Sequence, residues 1–344
     1  MPEESVTSFE ELVARLRRIF VNAGASPQQG AAVARVIASG ERDGAKSHSV
    51  YRVEVCLKSM RAGTVDATAV PELRDDGSPI IRVLGNRGFS CAAFELALPV
   101  LAERARQCGL AALVLNDVGH FSALWYEVES VADRGLAGMA MCPSYSAVAP
   151  AGGSRPLLGT NPFAFGWPRP DGPPYVFDFA TSVAARGEIE LRRRAGDPIP
   201  EGWAVDADGA PTTDPDAALA GAMLPFGGHK GSAIATMVEL LAGALIGDMS
   251  SREVLDDLGG TSLVPVHGEL ILAFDPARFA AGRDADPARQ GEALFEAITG
   301  QGARLPSMRR YAARERAATQ GITLTAEEQA QLNRFEEHGL DALS

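Results

Sequence analysis

From about residue 79, short runs of β-branched and aliphatic residues alternate with longer amphipathic stretches, and that alternation restricts the chain to an α/β architecture. The strand-like runs fall at 80–84, 110–115, 136–141, 175–179 and 270–274, with helical spacing kept over 92–107 and 229–245. Both ends read as helix. Ser8 and Glu11 make a capping-box pair ahead of Phe9, Leu12, Val13, Leu16, Ile19 and Phe20, which hold helical period up to Gly24. Ser26 caps a second helix with Pro27 at its first position, Gln29 closing the box and Val33, Val36 and Ile37 as its apolar face. A polar stretch at 40–49 follows, then Val50, Val53, Leu57 and Met60 resume the helical spacing. The segment 309–340 reads as one return to charged helix.

A chain of 344 residues has room for two or three domains, and 46% hydrophobic against 22% charged residues is ordinary globular composition. The formal charge of −12 argues against a general nucleic-acid or anionic-membrane binder, so an anionic ligand must be held by a local basic cluster. Lysine is scarce: Lys46, Lys58 and Lys230 are the three. Cys56, Cys91, Cys108 and Cys142 show no metal-like spacing and read as buried thiols of a reducing compartment. The opening Met1-Pro2-Glu3-Glu4 lacks a basic-then-apolar layout, and no apolar run reaches the ~18 residues of a membrane span. The expectation is a cytoplasmic protein without a metal centre.

The common nucleotide and hydrolase signatures are missing. There is no G-x-G-x-x-G, no G-x-x-x-x-G-K-[ST], no H-E-x-x-H and no G-x-S-x-G. Four polar clusters remain. In the first, Ser47-His48 precedes Arg52. A helix starting near Ser49 would set His48 and Arg52 on one side, a proton donor beside a cation able to grip a carboxylate. The same residues serve equally as a helix cap and a solvated face. The second cluster, Asn116 through Ser122, follows an apolar run; backbone N–H groups there can meet an anion, or His120 can satisfy local carbonyls. The third joins Gly159-Thr160-Asn161-Pro162 to Asp178-Phe179-Ala180-Thr181-Ser182 and Arg186-Gly187, and also reads as a strand end with a cap. The fourth, Pro225-Phe226-Gly227-Gly228-His229-Lys230-Gly231, opens a helix in a form suited to an anion.

Together, Ser47-His48 with Arg52, Gly159 through Pro162, Asp178 through Ser182, Ile199 through Trp203, Asp208 through Pro215 and Leu224 through Gly231 resemble the malate/L-lactate dehydrogenase type of NAD(P)H oxidoreductases. That family is unrelated to Rossmann lactate dehydrogenases, and the resemblance runs from about residue 8 to 335. Gly119 through Trp125, Ala185 through Glu188 and His229 resemble the branch of Δ1-piperideine-2-carboxylate/Δ1-pyrroline-2-carboxylate reductases.

The resemblance implies a discontinuous fold: a catalytic and dimerisation part at 1–132 and 304–344, and a cofactor domain at 133–303. It makes His48 the proton donor, near its unperturbed pKa, and Ser47 its relay partner. It gives Arg52, Thr160, Arg186 and Gly187 to substrate, and His120, Phe121, Ser122, Ala123, Leu124, Asp178, Phe179, Ala180 and His229 to the cofactor. Arg304, Leu305, Pro306, Ser307, Met308, Arg309 and Arg310 match a further cofactor segment. NADPH is the implied cofactor, with NADH the alternative, and a homodimer the implied assembly acting on a small cyclic imine or 2-oxo acid. Ser49 and Ser307 stand where the family has glycine. The competing readings are a 2-oxoacid/2-hydroxyacid dehydrogenase of malate, lactate or ureidoglycolate type, an N-alkylamino-acid dehydrogenase, and a catalytically silent binding paralogue.

Overall fold

The computed structural model describes residues 5–343, so the reading made on Met1 through Glu4 lies outside the described residues. Its centre is a seven-stranded sheet in the order Glu72–Arg74, Ile80–Leu84, Leu110–Gly119, Val266–Phe274, Ala137–Met141, Phe163–Trp167, Tyr175–Phe179. Only Ile80–Leu84 and Leu110–Gly119 pair in parallel; every other neighbour is antiparallel. The sheet takes strands from both sides of residue 132, so that expected boundary runs through one continuous sheet.

Helices Ser90–Cys108 and Trp125–Ala132 cover one face, burying Phe94, Leu101, Leu113, Val128 and Ile271. Helix His229–Ala242 packs on the other, its Val238 against Val114, Met141 and Leu270. Phe163–Trp167 was not legible as a strand. It alternates aromatic residues with Ala164 and Gly166, and a Cβ at Gly166 would press on the Val128 carbonyl of the covering helix.

A second core joins helices Phe9–Asn22, Pro27–Arg42 and Arg52–Ala62 to Ala326–His338. The Ser8–Glu11 capping box forms. Ser26 caps its helix too, but Gln29 does not close a box: its buried amide donates to Ala69 O and accepts from Phe89 N. The charged tail is two helices, Met308–Gln320 and Ala326–His338, split at Gly321 (φ 79°) by strand Ile322–Leu324, which pairs with Ser5–Thr7. Cys108 is exposed, contrary to expectation, while the other three thiols are buried.

Candidate active site

Lys46–His48 forms a single 3-10 turn against helix Pro27–Arg42. A side chain at Gly40 would collide with the carbonyl oxygen of His48, so glycine lets the turn lie directly on that helix. Lys46 pins the turn through Glu41 and, at 3.0 Å, Glu328. Its rarity therefore has a structural use. The helix expected from Ser49 begins only at Arg52, so His48 and Arg52 do not share a helical face. They are joined instead by a bond from Arg52 Nε to the Ser47 carbonyl at 2.7 Å. Ser49 keeps φ −115°, accessible to any residue, and its hydroxyl donates to Lys46 O at 2.9 Å, so the family's glycine is not required there.

Ser47 Oγ lies 3.0 Å from His48 Nδ1. With the hydroxyl donating, Nδ1 accepts and the imidazole proton sits on Nε2. Burial and the adjacent Arg52 charge push the His48 pKa from 6.5 down to about 3, which corrects the expectation of an unperturbed imidazole. In the free protein at neutral pH His48 is therefore uncharged. Among the described residues Arg52 makes no ion pair, and its terminal nitrogens are left for a ligand.

His48 and Arg52 line a cavity of about 960 Å³. His120, Phe121, Ser122 and Ala123 reach it from the loop after strand Leu110–Gly119, where His120 N donates to Pro265 O at 3.0 Å. Asp178, Phe179 and Ala180 enter from the end of strand Tyr175–Phe179. The Asp178 carboxylate accepts from Trp125 N at 3.1 Å, and burial lifts its pKa to about 6. Thr160 is held by its carbonyl, which accepts from Thr181 N and Oγ1. Asn161 follows at φ 36°, its amide fixed by Ala235 O and Glu239 Oε1. Arg186 and Gly187 open helix Arg186–Ala195 on the opposite wall, with the Arg186 guanidinium 5.8 Å from the Tyr145 ring centroid.

Residues 7–333 match the malate/L-lactate dehydrogenase family. The chain belongs to that family. Over its whole length it is 63% identical to the Δ1-pyrroline-2-carboxylate reductase of Agrobacterium fabrum, covering 100% of each chain. It is 55% identical to the Δ1-pyrroline-2-carboxylate/Δ1-piperideine-2-carboxylate reductase of Pseudomonas aeruginosa, covering 85% of this chain and 88% of that one. The crystal structure of Δ1-piperideine-2-carboxylate reductase from Pseudomonas syringae superposes with a TM-score of 0.91 at 40% identity, covering 96% and 99%. The absent G-x-G-x-x-G agrees with this fold: its parallel pair, joined through helix Ser90–Cys108, turns from strand to helix over Gly85-Asn86-Arg87-Gly88-Phe89, which lacks the pyrophosphate fingerprint.

Not every residue implied by the resemblance reaches this cavity. Ser47 stands behind His48, and Leu124 is buried in the core under the sheet. His229 is exposed at the start of its helix. Leu305, Pro306 and Met308 line a separate cavity of about 420 Å³, while Arg304 and Arg309 are exposed. Ser307 holds φ 62°, the left-handed conformation glycine would adopt, and compensates with Oγ donating to Val176 O at 2.8 Å. Arg310 is engaged elsewhere: it pairs with Asp43 at 2.9 Å and with Glu129, and lies 4.2 Å from the Trp125 ring centroid. Sequence reasoning missed Tyr145, Arg194 and His267 on the cavity wall. A Cys-Pro-Ser-Tyr loop, a charged helix and a strand histidine carry no distinguishing local pattern.

Proposed function

We propose that this chain reduces Δ1-pyrroline-2-carboxylate and Δ1-piperideine-2-carboxylate to L-proline and L-pipecolate with NADPH. The observation that carries the reading is the unpaired Arg52 guanidinium beside a neutral His48 on the wall of one cavity. In a protein of charge −12, an arginine without a carboxylate partner facing a cavity is a receptor for an anion. The relatives' names supply the substrates whose carboxylate and adjacent C=N fit that pair.

The cavity suits a dinucleotide beside a small acid. Its size lies at the upper end of the ~300–1,000 Å³ typical of ligand sites, and the buried Ser122 hydroxyl on its wall lacks a partner. NADPH supplies the hydride to the imine carbon. The chain supplies the rest. Arg52, its Nε committed to Ser47, offers its two terminal nitrogens to the carboxylate, and Arg186 and Thr160 close around the ring. Burial depresses His48 most and the Arg52 charge adds to it; a carboxylate at Arg52 offsets that second part, so the imidazole gains affinity for a proton, taken up from solvent, as the imine nitrogen arrives. Proton transfer to that nitrogen makes the carbon a better hydride acceptor. Ser47 keeps the ring in the tautomer that presents Nε2.

The same reading assigns His120 through Leu124, Asp178 through Ala180 and His229 to the cofactor. It adds the 304–310 segment, which abuts strand Tyr175–Phe179 through Ser307. It also includes a homodimer: Leu240 (58% exposed) and Leu245 (67%) leave apolar surface on and just beyond helix His229–Ala242 that a second copy would cover.

The test is kcat/KM for both cyclic imines, pyruvate and oxaloacetate with NADPH and with NADH. The imines with NADPH are expected to dominate. A larger value for either 2-oxo acid would make the chain a 2-oxoacid reductase.

A further inference from the structure

Beside His120 lies a buried polar cluster that the proposed reaction does not use. Glu127 on helix Trp125–Ala132 and Glu269 on strand Val266–Phe274 are fully buried. None of their four carboxyl oxygens has a protein hydrogen-bond partner, and His120 Nε2 has none either. Donor atoms from the three side chains lie within 4.8 Å of one another, with Glu269 Oε2 4.0 Å from His120 Nε2.

The surroundings offer no counter-charge. Cys142 Sγ is 3.9 Å from His120 Nδ1, and the His267 ring centroid is 5.9 Å from that of His120. His267 turns its own Nδ1 to Gly268 O. Asp178 adds negative charge from its strand end, and helix Ser90–Cys108 contributes the buried Cys91 thiol and Glu95, which is paired with Arg35. Beyond these stand neutral His48 with Arg52, which is turned to the cavity, and Arg310, which is held by Asp43 and Glu129. Among the described residues no lysine or arginine pairs with Glu127 or Glu269. Two ionised carboxylates cannot persist side by side in such a place, because each loses several kcal/mol of hydration without a cation to restore it.

We infer that Glu127 and Glu269 are both protonated at neutral pH and act together as a positioning element for His120, keeping the wall behind its imidazole uncharged and the ring itself neutral. The electrostatics run the same way. Burial raises both carboxyls, Glu269 to about 8, and holds His120 well below its ordinary value, so the protons belong to the acids. The role at the cavity rests on the proposed dinucleotide reading; the protonation of the pair does not. When alkali removes one of the two protons, a negative charge develops behind the wall and weakens a polyanionic cofactor.

The experiment compares wild type with E127Q/E269Q, whose amides copy the shape of protonated acids. Infrared spectra in D2O should show a protonated-carboxyl band in wild type at pH 7 that weakens by pH 9.5 and is absent from the variant. NADPH affinity, read by fluorescence, should fall on the order of tenfold in wild type between pH 7 and 9.5, and less than threefold in the variant. If the double variant does not fold, E269Q and the wild-type infrared titration carry the test. Equal pH profiles overturn the positioning role. Absence of the band, or a stoichiometric divalent metal found by elemental analysis in wild type alone, overturns the protonated pair. No NADPH binding by wild type at pH 7 would refute the cofactor reading instead, with the infrared result still decisive for the pair.

Discussion

Arg52 donates its Nε–H to the carbonyl of Ser47 at 2.7 Å, so the cation that faces the cavity is tied to the turn that carries the imidazole. His48 ends the 3-10 turn and Arg52 begins an α-helix, and this bond makes them move as one. It also fixes which guanidinium nitrogens remain for a ligand. A lysine could hold the charge but could not make this bond and keep a planar fork.

Arg52→Ala should therefore lower kcat/KM for Δ1-piperideine-2-carboxylate by roughly 10- to 150-fold, the worth of a charge-assisted contact of about 1.5–3 kcal/mol. Arg52→Lys should recover little of it. Piperideine lacking the carboxylate should be a poor wild-type substrate, and its handicap should shrink in Arg52→Ala. Measuring both substrates on both enzymes gives a double-difference coupling. A value near zero would move the carboxylate anchor to Arg186.

His48→Ala should cost on the order of 10²–10⁴ in kcat while NADPH binding is nearly unchanged, with Ser47→Ala milder. Activity within threefold of wild type would remove His48 from the proton step.

Burial and Arg52 hold His48 neutral in the free protein, with a pKa of about 3. Its folded pKa is depressed, so the linked stability is present above the unfolded value of ~6.5 and is lost as pH falls from there toward 3. NMR of labelled imidazoles should find His48 uncharged with its proton on Nε2 at pH 6. Saturating L-proline, whose carboxylate offsets Arg52, should shift the His48 titration upward. Titration near 6.5 without ligand would refute the coupling.

How much of this was legible depended on how local each cause is. Strands Ile80–Leu84 and Tyr175–Phe179 coincide with their apolar runs, and the Ser8 capping box forms as its spacing dictates. Gln29 was misjudged because its partners, Ala69 O and Phe89 N, come from distant loops. Ser5–Thr7 and Ile322–Leu324 are three-residue strands with no alternation of their own, made only by pairing with each other. At the site, Ser47, His48, Arg52, Thr160 and Arg186 sit in contiguous motifs and reach or back one cavity. The Glu127–Glu269–His120 cluster was invisible, because a helix, a strand and the loop after another strand bring its members together across the fold.

Leu240→Arg with Leu245→Arg should leave the fold intact and convert the proposed dimer to monomer, since both side chains are exposed and support no core. Light scattering behind size exclusion decides it. An unchanged dimer mass would place the interface on another face.

The buried carboxylate of Asp43 binds helix Met308–Gln320 to helix Pro27–Arg42, the support of the catalytic turn. It accepts from Arg310 Nη1 at 2.9 Å, Arg314 Nε at 3.0 Å and Arg42 Nε at 2.8 Å. Burial alone would raise its pKa, but the bonds from Arg314 and Arg42 outweigh it and hold the group below its ordinary range. Glu129 takes the other side of the same two C-terminal arginines, so one network joins helices Pro27–Arg42, Trp125–Ala132 and Met308–Gln320. Asp43→Asn removes the charge and keeps the shape, leaving guanidinium charge in place with one carboxylate fewer. Breaking such a buried pair costs about 3–5 kcal/mol. For a chain of this size Tm should fall by roughly 5–15 °C at pH 7. A cycle with Arg314→Met isolates the pair, and coupling of at least ~1 kcal/mol is expected for groups in direct contact. Because the folded pKa is depressed, the Asp43 contribution is present above the unfolded value of ~3.9 and disappears as pH falls through the lower folded one. The stability gap between wild type and Asp43→Asn, followed by urea unfolding, should thus be constant from pH 5 to 7 and narrow only in stronger acid. A gap already closing at pH 6, or zero coupling to Arg314, would mean that the carboxylate does not hold the two arginines as described.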